Sequence, residues 1–303
     1  MVSVIIPNYN NEKWLSACLD SCLTQEYVRE IIIVDDHSTD GSWALLGAYR
    51  KNFPKKISIH QNQGKGGNFA RNYGFTFSKG KYIQWLDSDD RLLPGKLKAQ
   101  VEFLEDNPEI DIAYSDWQMD FYEEGVLRRS EPKEYGPFSD FLLELIRDNW
   151  TVPCNYLVKK SIADQLSGGV GWSPQTQIGQ DREYFTKAAI FGAKFGYVKG
   201  SFSVYNRWSN QTVSVKPFDY RLSESYQLEC MLKELIKNQD FIAKDKKIKY
   251  LKILNAQALL ANYYASNLKI KRDFSLWKVD WGFIHWKLRP IILIKELFML
   301  VFK

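Results

Sequence analysis

The sequence predicts an α/β fold: a mostly parallel sheet flanked by helices, with a helical extension at its C-terminal end. Three observations carry this prediction. Short runs such as Val2–Ile6 and the Ile-Ile-Ile-Val of residues 31–34 are apolar throughout, as strands buried on both faces are. Stretches with helical apolar spacing alternate with them at intervals of 20 to 30 residues. From Asp219 onward the strand signal stops and helical periodicity takes over.

The first predicted strand, Val2–Ile6, is closed by Pro7. The loop PNYNNE leads into a helix from about Lys13 to Gln25, with Trp14, Leu15, Cys18, Leu19 and Cys22 on one face. Residues 30–34 form a second strand ending in Asp35 and Asp36, after which Ser38, Thr39 and Asp40 offer caps for a helix reaching about Lys51. Residues 57–60, 66–77 and 82–86 read as strand, helix and strand, and 94–107 as a helix with proline in its first turn. In such sheets crossovers are right-handed and ligands lie outside the carboxyl ends of the strands. Four polar loops share that edge: 7–10, 35–36, 62–67 and 87–90.

With 303 residues, the chain fits one large α/β domain with an appendage or two modest domains. Its 45% hydrophobic and 25% charged content excludes a disordered chain. Aromatic content of 15%, including 10 Trp, suits a protein that binds flat apolar faces such as sugars or bases, or that sits at a membrane surface. The net charge of +5 is uneven, because residues 240–303 hold 13 Lys/Arg against 5 Asp/Glu and the remainder 28 against 31. No nucleic-acid partner is expected. Cys18, Cys22, Cys154 and Cys230 lack metal-type spacing and read as free thiols in a reducing compartment. No secretory signal is expected from MVSVIIPNYN, and no run reaches the length of a spanning helix.

The fourth strand ends in Asp87, Asp89 and Asp90, three acids within four residues whose mutual repulsion needs compensation. Two compensations are open: a helix cap with solvated neighbours, or a divalent cation that in turn holds nucleotide phosphates. The Gly-Lys-Gly-Gly of residues 64–67 is not a Walker loop, and no G-x-G-x-x-G, G-x-S-x-G or H-E-x-x-H is present. Dinucleotide oxidoreductases and serine or zinc hydrolases are therefore disfavoured.

Taken as a set, SVIIPNYNNEKWLSACLDSCLTQ, IIIVDDHSTDGS, NQGKGGNFARNYGF and GKYIQWLDSDD resemble the successive motifs of the family 2 inverting glycosyltransferases of GT-A fold, over residues 2 to 120. The resemblance implies that Pro7, Tyr9 and Asn10 line a nucleoside pocket and that Asp36 accepts a hydrogen bond from the base, with Asp35 in a turn-and-cap role. It implies that Arg71 meets the base or a phosphate. Asp87 and Ser88 would contact the nucleotide sugar, and Asp89 would hold Mg²⁺ or Mn²⁺, a Lewis acid for the departing diphosphate. Asp90 is expected only to cap.

Beyond residue 120 the pattern grows irregular, as in an acceptor-binding half. Residues 139–147 read as a helix and 156–159 as a short strand. In GGVGWSPQTQIGQDREYFTKAAIFG, Asp181 stands at the start of an amphipathic helix. A first-turn acid is favourable there with no further role. The family resemblance makes it the general base, although Gln180 stands where the family usually has Glu. Trp172 is a weaker candidate for stacking on sugar or acceptor, against a core-filling role. Residues 195–205 read as a closing hairpin. Arg207 is a candidate for the diphosphate or for a nearby acid, and Trp208 stands where the family commonly has His.

Two helices are expected at 219–236 and 248–268. Trp277, Trp281 and Trp286 among Lys278, Lys287 and Arg289 fit peripheral membrane contact through 277–303. The domains expected are 1–215, with a nucleotide-binding half at 1–120 and an acceptor half at 121–215, and a basic helical extension at 216–303. The function expected is transfer of a sugar from a nucleoside diphosphate donor, by default UDP, to a hydroxyl of a glycan or lipid-linked glycan, in the cytoplasm or on the inner membrane face. The alternative is a non-catalytic nucleotide- or carbohydrate-binding protein that retains the fold.

Overall fold

The computed structural model describes residues 1–149, 151–168, 171–208, 217–264, 278–285, 288, 289 and 292. The chain alternates β1 (Val2–Asn8), α1 (Glu12–Leu23), β2 (Val28–Asp35), α2 (Ser42–Asn52), β3 (Ile57–Gln61), α3 (Gly67–Phe75) and β4 (Tyr82–Trp85). These four strands are parallel, with β1 between β2 and β4 and β3 outside β2. The reason lies in composition. Val4, Ile5, Ile6 and Ile31–Val34 are buried on both faces, and α1 packs against them through Leu15, Cys18, Leu19 and Cys22, the stripe its spacing predicts. The cysteines are free thiols, three of them buried.

Past β4 come β5 (Arg91–Leu92), α4 (Lys96–Asp106), β6 (Ile112–Glu123), β7 (Val126–Lys133), α5 (Phe141–Ile146), β8 (Leu157–Lys159), α6 (Lys160–Ser167), α7 (Gln180–Ile190) and β9 (Phe195–Trp208). The described strands form one sheet in the order β3-β2-β1-β4-β8-β6-β9-β5, with β7 hairpinned onto β6. The purely parallel run stops at β4, because β8 joins β4 and β6 antiparallel while β6 and β9 run parallel to each other. The expected closing hairpin at 195–205 is a single strand. It bends at Gly200, whose φ of 128° suits glycine, and the register slips there. Asp116 stitches the bend by accepting from Tyr197 Oη at 2.6 Å and from Gly200 N at 3.4 Å.

A buried polar layer crosses this half of the sheet. Lys96, fully buried, donates to Gln84 Oε1 and to the Tyr156 carbonyl at 3.3 Å, and burial pushes its pKa down to about 7. Asn155 Nδ2 donates to the Ser115 carbonyl at 2.6 Å and to Thr151 Oγ1 at 3.0 Å.

The chain divides into two compact units. The first comprises 1–141, 150–175 and 180–212 and holds the sheet; the second comprises 142–149, 176–179 and 213–303. In the second, α8 (Phe218–Lys237) and α9 (Lys244–Tyr264) lie side by side, and Ala256, Leu259, Val279, Ile284 and Ile292 form an apolar cluster. Of the tail tryptophans, Trp277 and Trp286 lie outside the described residues, and Trp281 is partly buried. Among the described residues no helix is long and apolar enough to cross a membrane.

Candidate active site

The carboxyl ends of β1, β2 and β4 meet at a cleft of about 160 Å³. Each loop is held by polar contacts between chain segments that the sheet brings side by side. Asp35, buried at the end of β2, accepts from Asn8 Nδ2 at 2.8 Å, Ser38 N at 2.9 Å and Ser38 Oγ at 2.6 Å, which closes the turn after the strand. Asp36 faces the cleft. Its two oxygens accept from Asn62 Nδ2 at 2.7 Å and Gly66 N at 2.8 Å, so the glycine loop fixes its orientation. Gly66 has a φ of 93°, a value that presents its N–H without the cost a side chain would incur.

Pro7 and Tyr9 line the cleft, with Tyr9 58% exposed. Asn10 does not belong with them. Its left-handed backbone, φ 51°, turns its side chain to Thr39, whose N–H it receives at 2.7 Å. The neighbours Asn8 and Asn11 take that place, together with Gly67 and Ala70 of α3. Sequence reasoning missed these four; two of them flank the expected residue, and one turn of left-handed backbone decides between them.

Asp87, Ser88 and Asp89 line the same cleft as Asp36. Ser88 Oγ accepts from Asn11 Nδ2 at 2.6 Å. Asp90, expected to cap a helix, instead turns inward and is buried. It accepts from Asn206 N of β9 at 3.0 Å and lies 3.8 Å from Cys154 Sγ. Burial raises its pKa well above the carboxylate range, and the Asp89 and Asp87 charges add to this. The helix that follows starts at Lys96 behind Gly95, five residues too late for an Asp90 cap.

Arg71 departs from both readings the sequence offered. It is neither solvated nor open to a ligand, being 5% exposed. Its Nη2 meets Asp87 Oδ1 at 2.5 Å, and its Nη1 donates to Asn68 Oδ1 at 3.0 Å and to Gln180 Oε1 at 3.2 Å. The guanidinium lies 4.5 Å over the Trp172 ring. Trp172 is itself a core residue, 2% exposed and stacked on Tyr184 at 4.4 Å, so stacking on sugar or acceptor is ruled out by its burial. Arg207 is exposed on β9 beside Phe121, and its charge acts on Glu131 of β7.

Asp181 stands in the first turn of α7, next to the Gln180 that Arg71 grips. Burial and then the negative charge of Asp87 push its pKa up to about 7, with Arg71 pulling the other way. An acid poised near neutrality beside a cleft of further acids is suited to taking up a proton.

Comparison with known proteins agrees with this geometry. The model of the family described as glycosyl transferase family 2 matches residues 3–165, more than half of the chain. The chain belongs to glycosyl transferase family 2. Among relatives of this family 2 chain, the UDP-Glc:alpha-D-GlcNAc-diphosphoundecaprenol beta-1,3-glucosyltransferase WfaP of Escherichia coli is 36% identical over 139 residues, 45% of this chain and 54% of WfaP. The minor teichoic acid biosynthesis protein GgaB of Bacillus subtilis is 30% identical over 205 residues, 65% of this chain and 22% of GgaB. The chain thus spans about half the length of WfaP and less of GgaB. The crystal structure of S. aureus TarS 1–349 in complex with UDP-GlcNAc superposes with a TM-score of 0.68 at 19% identity, covering 89% of this chain and 76% of that one. The fold is accordingly GT-A, with a helical C-terminal part.

Proposed function

We propose that this chain is an inverting glycosyltransferase of cell-envelope polysaccharide synthesis, which moves a sugar from a UDP-linked donor to a hydroxyl of a glycan or lipid-linked glycan. One observation carries the reading: Asp36, Asp87 and Asp89 share one cleft, and Asp181 lies near enough to Asp87 for the two charges to interact. WfaP, named for UDP-Glc and a diphosphoundecaprenol acceptor, and TarS, crystallised with UDP-GlcNAc, support the donor and acceptor classes.

In this reading Asp36 receives an N–H of the base, held in place by Asn62 and Gly66, and Tyr9 covers the nucleoside. Asp181 takes the proton of the acceptor hydroxyl as its oxygen bonds to the anomeric carbon. The bond from that carbon to the diphosphate breaks on the opposite face, which inverts the centre. A pKa of about 7 suits this step, since the group is substantially ionised at neutral pH yet basic enough to hold the proton.

The cleft fits a divalent cation. Asp87 and Asp89 offer carboxylate oxygens, and among the described residues no set of three or more acidic, His or Cys side chains forms a closed cage. A sparse donor set of that kind suits Mg²⁺ or Mn²⁺, which keeps waters and takes phosphate oxygens. Asp89 would hold it, and when bound it would supply charge neutralisation at the diphosphate. The mannosyltransferase PcManGT, crystallised with GDP-Man and Mn²⁺, shares the fold at a TM-score of 0.51 and supports this assignment.

Peripheral contact with the inner membrane face belongs to the same reading. In the second unit Phe241, 61% exposed, and Ile248, 48% exposed, stand among exposed Lys244, Lys249 and Lys252, a combination that suits anionic headgroups.

The test is a panel of nucleotide sugars assayed for transfer and hydrolysis with Mg²⁺ or Mn²⁺. Turnover of a UDP-sugar that disappears in Asp181→Asn is the expected result. Turnover that survives the substitution would favour another base, and UDP binding without any turnover would favour a non-catalytic binding protein.

A further inference from the structure

One face of α3 does more than border the cleft. Asn68, Arg71 and Asn72 lie at i, i+3 and i+4, so their side chains project together. Asn68 Nδ2 donates to the Ser173 carbonyl at 2.6 Å. Asn72 Nδ2 donates to the Trp172 carbonyl at 2.7 Å and its Oδ1 accepts from Trp172 N at 3.1 Å. Arg71, between them, reaches Asp87 on one side and Gln180 on the other. The same helix therefore grips the loop that follows β4, the Trp172–Ser173 stretch, and the first residue of α7.

We propose that Arg71 is a positioning residue: a buried brace that sets the distance and angle between the Asp87 loop, which faces the donor, and the α7 N-terminus, which carries Asp181. It does not bind nucleotide. The inference rests on the glycosyltransferase reading above and gives a previously unassigned role to the contact with Gln180.

The physical case has three parts. A guanidinium is planar and offers donors in a rigid fork, so contacts through Nη1 and Nη2 fix the relative orientation of two acceptors, which a lysine ammonium does not do. The Trp172 ring 4.5 Å beneath holds the plane, and Trp172 is locked in turn by its stack on Tyr184 within α7. Burial finally makes each lost contact costly, because an ion pair with 6% of the arginine side chain exposed cannot be replaced by water without rearrangement. Gln180 suits the arrangement chemically. A neutral amide accepts from Nη1 without competing in charge for the guanidinium, and the cation stays committed to Asp87.

The test compares Arg71→Lys, Gln180→Leu and the double variant with the wild type. Each is assayed for kcat and donor KM with whichever of UDP-Glc, UDP-GlcNAc and UDP-Gal the wild type turns over fastest, and for thermal stabilisation by UDP with Mn²⁺. A brace predicts that both single variants lose kcat by about ten- to a hundredfold, the scale of a small misplacement of reacting groups. Donor KM and the UDP-induced shift stay at wild-type values. The double variant falls little below the worse single, because both substitutions break one link. A raised donor KM with kcat retained in Arg71→Lys would make Arg71 a ligand-binding group and overturn the proposal, as would a Gln180→Leu enzyme with wild-type kcat. Should Arg71→Lys fail to fold, Gln180→Leu carries the test alone. Asp181→Asn in the same assay separates the two levels: turnover retained there removes the glycosyltransferase reading itself, whereas turnover lost there with Gln180→Leu unaffected removes only the brace.

Discussion

The two sides of the cleft are built differently. On the donor side, acids sit at strand ends and are satisfied by loops that the parallel sheet lays next to them: Asp35 by Asn8 and Ser38, Asp36 by Asn62 and Gly66. Each contact joins loops that neighbouring strands would bring together in any sheet of this order. On the α7 side, Gln180 is reached by Arg71 from 109 residues away, and Asn72 ties down Trp172 from 100 residues away. The donor side is a property of strand order. The other side depends on side chains spanning between layers, so a single substitution there is expected to disturb more.

Breaking the α7 side should have the largest effect. Asp181→Asn removes the proton acceptor and is expected to lower kcat by about 10²- to 10⁴-fold, the usual contribution of general base catalysis, with UDP binding retained. In the wild type, kcat/KM should rise with pH through about 7 as Asp181 ionises. The sign for stability is opposite. A carboxyl whose folded pKa lies above its unfolded value binds its proton more tightly when folded, so it costs stability once pH exceeds about 7 and nothing near pH 3. Asp181→Asn should therefore raise the melting temperature relative to wild type at pH 8 more than at pH 4. Equal shifts at both would contradict the raised pKa.

Next in size is the packing beneath the brace. Trp172→Ala opens a cavity between Arg71 and Tyr184 and is expected to destabilise by about 3–5 kcal/mol in chemical denaturation. A cost under about 1 kcal/mol would mean that the ring is not the platform its burial implies.

On the donor side, Asp89→Ala should abolish the thermal stabilisation by UDP that depends on Mn²⁺ while leaving the unliganded melting temperature near wild type, because Asp89 lines the cleft rather than the core. Loss of stability without UDP would instead place Asp89 in the scaffold. Asn62→Ala removes one of two donors to Asp36 and should weaken UDP binding by about tenfold, the loss of roughly one charge-assisted hydrogen bond in orienting power.

The smallest effect concerns Lys96. Its lowered pKa means that the unfolded chain binds more protons between about pH 7 and pH 10, so this group adds stability as pH rises across that window. Lys96→Met should flatten that rise. The difference in unfolding free energy between wild type and variant, measured at pH 7 and pH 9.5, checks it.

Much of this was readable from the chain alone. The β-branched runs 2–6 and 31–34 had to be strands, because nothing else buries such runs on both faces. The acids that follow them had to lie on one sheet edge, since parallel strands all point their carboxyl ends the same way. The stripe of α1 and the cleft positions of Tyr9, Asp36, Asp87, Ser88 and Asp89 follow from local pattern. Tertiary structure decided what pattern does not encode. Asn10 yields to Asn8 and Asn11 because of one left-handed residue, Asp90 turns inward because β9 offers it a backbone N–H, and Trp172 goes to the core because Tyr184 and Arg71 receive it. Periodicity speaks for neighbours along one element. The partner of a buried charge is chosen across the fold, where desolvation penalises every arrangement that leaves it alone.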